Sequence, residues 1–256
     1  MTSAEALLES FNIIHPRDYA AHGYPHEIWT WLRKNDPVHR WERTEGMPFW
    51  AITKRADIVS ISKRPELFLN GPRIVISHEQ ERGMDEFPPT LIQLDPPKHG
   101  VYRQLLSKRF KPKALRRIHD DIERIGAEIV DSLVSERDAG ECDFVQKVSA
   151  PLPIAVIAWL LGVPREDWKL IFDWTNRTVG SGDPEYQEEG KTQEETARQA
   201  MVELFMYFTK LIEEKKKNPA DDLASLFAHA EVDGKPLPPM DVLAFCLIVV
   251  VAGNET

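Results

Sequence analysis

The chain has 256 residues, a formal net charge of -9 at pH 7, 42% hydrophobic and 29% charged residues, which is ordinary for a soluble globular protein. The acidic balance argues against general affinity for nucleic acid or an anionic membrane. Two cysteines, Cys142 and Cys246, stand far apart with no CxxC or mixed Cys/His spacing, so a zinc site and a disulfide framework are excluded and a reducing cytoplasm fits. Met1 to Ser10 is polar and carries Glu5 and Glu9, unlike a signal peptide. The longest apolar run, Val242 to Ala252, falls short of the roughly 18 residues a membrane helix needs.

Residues 1–45 are rich in His, Pro and Trp, with a short amphipathic piece around Ile28, Trp29 and Leu32. Pro48 to Ile52 reads as a strand, one of few, and Ala56 to Leu67 as a helix with Ile58, Val59 and Ile61 on one side. Residues 70–92 form a long irregular stretch punctuated by Gly71, Pro72, Gly83, Pro88 and Pro89, a length more often found in functional loops. Helices dominate from Pro96 onward. Asp95 is the expected N-cap of a helix that starts at Pro96-Pro97 and runs to about Phe110. Pro112 to Arg137 repeats Leu115, Ile118, Ile122, Ile125, Ile129 and Leu133 at spacings of three and four. Pro151 to Leu161 is almost wholly apolar and closes at Gly162; Pro164 to Val179 follows, then an acidic linker from Gly180 to Gly190. Thr192 to Lys217 places Met201, Leu204, Phe205, Phe208 and Leu211 on one face. Asp221 to Ala230 is a short helix, Asp233-Gly234 a turn, and the final element begins near Pro239. The fold class is mainly α.

Two constellations could carry chemistry. His99 and Arg103 are i,i+4 on one helix, so two cationic donors share a face and could hold a pair of carboxylates; the alternative is an ordinary solvated pair. The run Val242 to Val251 has no polar face, and periodicity leaves helix and strand open. At its end come Ala252-Gly253-Asn254-Glu255-Thr256. Gly253 lets something approach the backbone, Thr256 can bond back to the Ala252 carbonyl, and a buried Glu255 can pass protons. A core element reaching the surface with a polar end is the alternative there. Lys108, Arg109, Lys111, Lys113, Arg116 and Arg117 make a basic cluster that is either a solvated helix end or a dock for an acidic partner. The seven tryptophans read as core and interface residues, and the irregular spacing of His15, His22, His26 and His39 does not suggest a metal site.

Leu94-Asp95-Pro96-Pro97-Lys98-His99 with Arg103, followed far downstream by Ala252-Gly253-Asn254-Glu255-Thr256, resembles the cytochrome P-450 family of soluble bacterial heme-thiolate monooxygenases. The resemblance extends to Asp36-Pro37-Val38, Arg73 to Glu81, and Gly140 to Phe144. It implies a partial P-450 fold, helices with a small β-sheet near the N-terminus, within one domain. It also implies heme b, with His99 and Arg103 on the propionates. Ala252 and Gly253 would open an oxygen pocket in the long central helix, and Glu255 and Thr256 would deliver protons to dioxygen. Ile74, Val75, Ile76, Phe172 and Val179 would be apolar substrate contacts. A small hydrophobic substrate of the steroid, terpenoid or fatty acid type is implied, and a ferredoxin or flavodoxin would dock on the basic cluster. The family's ExxR helix and its axial cysteine in a Phe- and Gly-rich loop are not in this sequence; Cys142, expected in an inter-helix strand, and Cys246 match neither. The expectation is an N-terminal half, truncated in the central helix, inactive alone and exposing the apolar sides of Val242–Val251. A second reading is a non-catalytic helical module that binds a ligand or partner in a groove lined by Phe172, Trp174 and Phe208.

Overall fold

The apolar run whose periodicity left helix and strand open is a helix, and four helices of its unit pack on it. The computed structural model describes residues 8, 10–42, 48–72, 76, 88–107, 109–135, 140–180 and 183–254. They fall into two units, Met1–Phe87 with Ile92–Pro97, and Pro88–Leu91 with Lys98–Thr256.

In the first unit, α1 (Pro16–His22) is capped by His15, whose ring accepts from the Arg17 N–H at 3.1 Å. That gives one of the irregular histidines a structural task. Helix α2 (His26–Asn35) buries Ile28 and Leu32, one turn apart, as the amphipathic pattern predicts. Strands β1 (Val38–Trp41) and β2 (Phe49–Ile52) pair antiparallel, with Val38 opposite Ile52 and Trp41 opposite Phe49. Phe11, Ile28, Leu32 and Trp41 form the core, and Trp41 stacks on Phe49 at 6.3 Å. Trp50 is not a core residue: it is 61% exposed. The helix expected over 56–67 is shorter. It is α3 (Arg55–Ser62), none of whose residues is buried, because Pro65 disfavours a helical Arg64 and the chain turns.

Asp95 is not the expected N-cap. Its carboxylate accepts from the N–H groups of Asn70 at 2.8 Å and Gly71 at 3.0 Å. Pro96 and Pro97 form a turn, and the helix begins at Lys98. A Cβ on Gly71 would stand 3.2 Å from both Asp95 and the Gln93 carbonyl, so this anchor needs a glycine or a small shift.

The second unit comprises α4 (Lys98–Ser107), α5 (Pro112–Ser135), α6 (Pro151–Leu161), α7 (Trp168–Val179), α8 (Gln193–Lys217), α9 (Leu223–Ala228) and α10 (Pro239–Asn254). Proline opens α6 and Gly162, at φ 77°, closes it. Thr192 and Glu195 form a reciprocal capping box at the start of α8. Met201 is half-buried on α8, and Leu204, Phe205, Phe208 and Leu211 are buried, as predicted. A two-residue hairpin, β3 (Glu231–Val232) and β4 (Lys235–Pro236), turns through Asp233 and Gly234, both at positive φ. Helix α10 packs on α6, α7, α8 and α9. Residues 242–247 and Val250 are all at most 8% exposed, so the expectation that these apolar sides stand open is overturned. Four helices of this unit already cover them.

Charge ties α7 to α8. The Arg177 side chain, 12% exposed, meets Asp173 at 3.0 Å, Glu203 at 2.7 Å and Glu188 of the connector. The Trp174 indole also donates to Glu203, at 2.8 Å. Burial alone would lower the pKa of Arg177, but Glu203, Asp173 and Glu188 outweigh it and raise it. The Glu188 carboxyl is held below its ordinary value, chiefly by Lys191 and then Arg177. For Glu203, burial pushes upward, but hydrogen bonds from Gln199, Arg177 and Trp174 prevail and lower it. Lowered carboxyl pKa values mean that the unfolded chain binds more protons, so this stabilisation is present above the ordinary glutamate value of 4.5 and is lost as pH falls below it. Arg177→Met should cost about 2 kcal/mol in urea unfolding at pH 7, discounting the partly exposed partners. The variant should also lose less stability than the parent between pH 5 and about pH 3.

Candidate functional site

Helix α4 carries two stripes of side chains. Lys98 and Tyr102 form one; His99 and Arg103 form the next, about 100° further round. The first stripe is engaged. The Tyr102 hydroxyl donates to Asp241 of α10, Lys98 lies 3.3 Å from the same carboxylate, and the Tyr102 ring stacks on Phe245 at 5.6 Å. Burial first, then the hydrogen bond to Asp241, pushes the Tyr102 phenol up to about 12. The second stripe has no partner among the described residues. His99 is half-buried and Arg103 exposed. Two donors side by side, uncommitted to any described acid, suit a pair of carboxylates.

At the far end of α10, Ala252 is exposed and Gly253 half-buried. A Cβ on Gly253 would lie 2.2 Å from Cγ1 of Ile157, so the bare Cα lets α6 approach. The residue that comes close to the backbone is thus a neighbouring helix. Glu255 and Thr256 lie outside the described residues. Cys246 is fully buried, and burial pushes its thiol far above the ordinary value, so it stays protonated. Cys142 is exposed in an irregular segment ahead of a π-helical turn, Val145–Ser149, and not in the expected strand.

The expected substrate contacts divide between the units. Phe172, half-buried, and Val179, 45% exposed, lie on α7 in the helical unit. Ile76 lies in the first unit, where it lines an open groove of about 460 Å³ with Ile13, Trp29, Phe49, Trp50 and Arg33. Ile74 and Val75 lie outside the described residues. Phe208 is fully buried and therefore lines no open groove, which removes a wall from the ligand-module reading. Of the basic cluster, Arg109 pairs with Asp221, and Lys111 and Arg116 are exposed. Lys108 and the side chains of Lys113 and Arg117 lie outside the description. Sequence reasoning missed Tyr102, Asp241 and Ile157, whose contacts join distant parts of the chain. It also missed the exposed Trp50 wall, for which four neighbouring apolar residues were the only signal.

No family model matches the chain. The methyl-branched lipid omega-hydroxylase of Mycobacterium tuberculosis is 33% identical over 231 residues, covering 88% of this chain and 53% of that protein. The linalool 8-monooxygenase of Pseudomonas putida is 34% identical over 241 residues, covering 91% and 57%. Among solved structures, a Mycobacterium marinum cytochrome P-450 in complex with pseudoionone superposes with a TM-score of 0.81 at 30% identity, covering 96% of this chain and 61% of that one. These define a bacterial P-450 fold. The chain belongs to the cytochrome P-450 family, and it spans about half the length of the curated relatives it matches.

Gly253→Ala should lower stability by about 1–2 kcal/mol, overpacking against Ile157 outweighing the gain in helix propensity. In the Ile157→Ala background the same substitution should be neutral or stabilising by thermal unfolding, since the methyl then has space.

Proposed function

We propose that the intact protein is a cytoplasmic heme-thiolate monooxygenase that hydroxylates a small hydrophobic substrate. The overall balance is one substrate C–H bond, dioxygen, two electrons and two protons converted to an alcohol and water. The observation that carries the reading is the His99–Arg103 pair on α4, without a described partner, in a chain 33–34% identical to curated hydroxylases of a branched lipid and of linalool. Those substrates and pseudoionone are mostly hydrocarbon, and favour an apolar substrate of the lipid, steroid or terpenoid type over a polar one.

Heme b, when bound, supplies the activation of dioxygen. His99 and Arg103 would hold its two propionates. Ala252, with only a methyl side chain, would leave room beside the heme, and Glu255 and Thr256 would hold and pass protons. Within the helical unit, Phe172 and Val179 of α7 would supply apolar contacts to the substrate. Neither Cys246, whose buried thiol is held protonated, nor Cys142, in an exposed irregular segment, would be the thiolate that binds the heme. A ferredoxin or flavodoxin delivers electrons at the exposed basic side chains Lys111 and Arg116.

Removing both propionate donors, His99→Ala with Arg103→Ala, should reduce heme content of the purified intact protein more than either change alone; unchanged occupancy overturns the role. Thr256→Ala should divert electrons from product to hydrogen peroxide, measured as the ratio of peroxide formed to reduced cofactor consumed. Tight coupling in that variant contradicts the proton role.

A further inference from the structure

Helix α4 is held to the central helix by one compact set of groups on one side, and the uncommitted cationic pair stands on the adjacent stripe. Lys98 and Tyr102, i,i+4 on α4, face Asp241 and Phe245, i,i+4 on α10. Three contacts link them: the Tyr102 hydroxyl to the Asp241 carboxylate, the Lys98 ammonium to the same carboxylate at 3.3 Å, and the Tyr102 ring on Phe245. The Lys98 ammonium also sits 4.9 Å above the Tyr102 ring, so the cation braces the phenol as well as the acid. Phe245 in turn stacks on Phe227 of α9 at 5.0 Å, which ties the far side of the joint into the core. Asp241 lies in the first turn of α10, where the helix dipole favours a negative charge.

This joint sets the rotation of α4 about its own axis. His99 follows Lys98 by one residue and Arg103 follows Tyr102 by one, so the clasp and the cationic pair are fixed at about 100° to each other. A slip of about 20° would carry a side-chain tip about 6 Å from the axis through roughly 2 Å, well outside the distance range of a hydrogen bond. We propose that Tyr102, Lys98 and Asp241 are positioning residues for the cofactor's carboxylates: they set the rotation of α4 and thereby aim His99 and Arg103. The proposal rests on the P-450 reading of the site. It assigns the three residues no contact with the cofactor.

The test uses the intact, heme-loaded protein and the variants Tyr102→Phe and Asp241→Asn. Tyr102→Phe keeps the ring on Phe245 and removes the hydrogen bond. Asp241→Asn keeps an acceptor and removes the charge that attracts Lys98. Ile125→Val, at a buried position of α5, is the control for general loosening. Heme transfer to excess apomyoglobin should quicken about fivefold in Tyr102→Phe, the change expected for one lost hydrogen bond. It should quicken about twofold in Asp241→Asn and not at all in Ile125→Val. The resonance Raman propionate bending band should shift in the two α4–α10 variants only. The proposal is overturned if transfer rate and band in Tyr102→Phe match the unsubstituted protein, or if Ile125→Val quickens transfer as much. An unsubstituted protein that takes up no heme overturns the monooxygenase reading itself, a result distinct from either of these.

Discussion

A helix with no polar face must be enclosed on every side, and α10 imposes that demand on the helical unit. Seven of its residues are almost wholly buried. Each large side chain removed from water contributes about 1.5–3 kcal/mol, so no arrangement that leaves a side of α10 open competes with the one that covers it. Helices α6, α7, α8 and α9 take up the sides of α10. The residues of interest on α10 stand at its two ends. Asp241 is at the start, where it receives Tyr102 and Lys98, and the Ala252–Gly253 step is at the other end. Candidate chemistry is therefore displaced to the ends of an element whose middle is committed to packing.

Gly253 shows how a missing side chain serves packing. The missing side chain admits Ile157 and so lets α6 approach α10. Its neighbour Ala252 is left exposed on α10. A larger residue at Gly253 would clash with Ile157. The polar ties lie away from this dry centre. Arg177 with Glu188 and Glu203 links α7, its connector and α8, in partly exposed surroundings where charge pairs stabilise modestly and respond to pH. The helix that carries Phe172 and Val179 is thus held by charge pairs as well as by the buried Ile171.

Much of this was legible in the sequence wherever a local rule applied. Pro151 and Gly162 bound α6, Thr192 opens α8 with Glu195 three residues on, and Asp233-Gly234 turns a hairpin. The periodicity of Leu204, Phe208 and Leu211 identified a buried face. What escaped were contacts made by the fold. Val38-His39-Arg40-Trp41 does not read as a strand because its charged residues break the apolar alternation, yet pairing with β2 makes it one. Asp95 looked like a cap because it precedes two prolines; its carboxylate instead serves two N–H groups that precede it in the chain by more than 20 residues. Tyr102 and Asp241 are 139 residues apart, and no spacing rule joins them. His99 and Arg103 were visible as an i,i+4 pair. That they are left without a described partner is known only from the structure.

The central claim is that this chain contributes the propionate-binding helix and the oxygen-side helix of a heme-thiolate enzyme. The most direct measurement is the absorption spectrum of the intact protein, reduced and exposed to carbon monoxide. A strongly red-shifted Soret band, the signature of thiolate ligation, is the predicted result. A Soret band at the unshifted position of a histidine-ligated heme, or no heme absorption at all, would contradict the account.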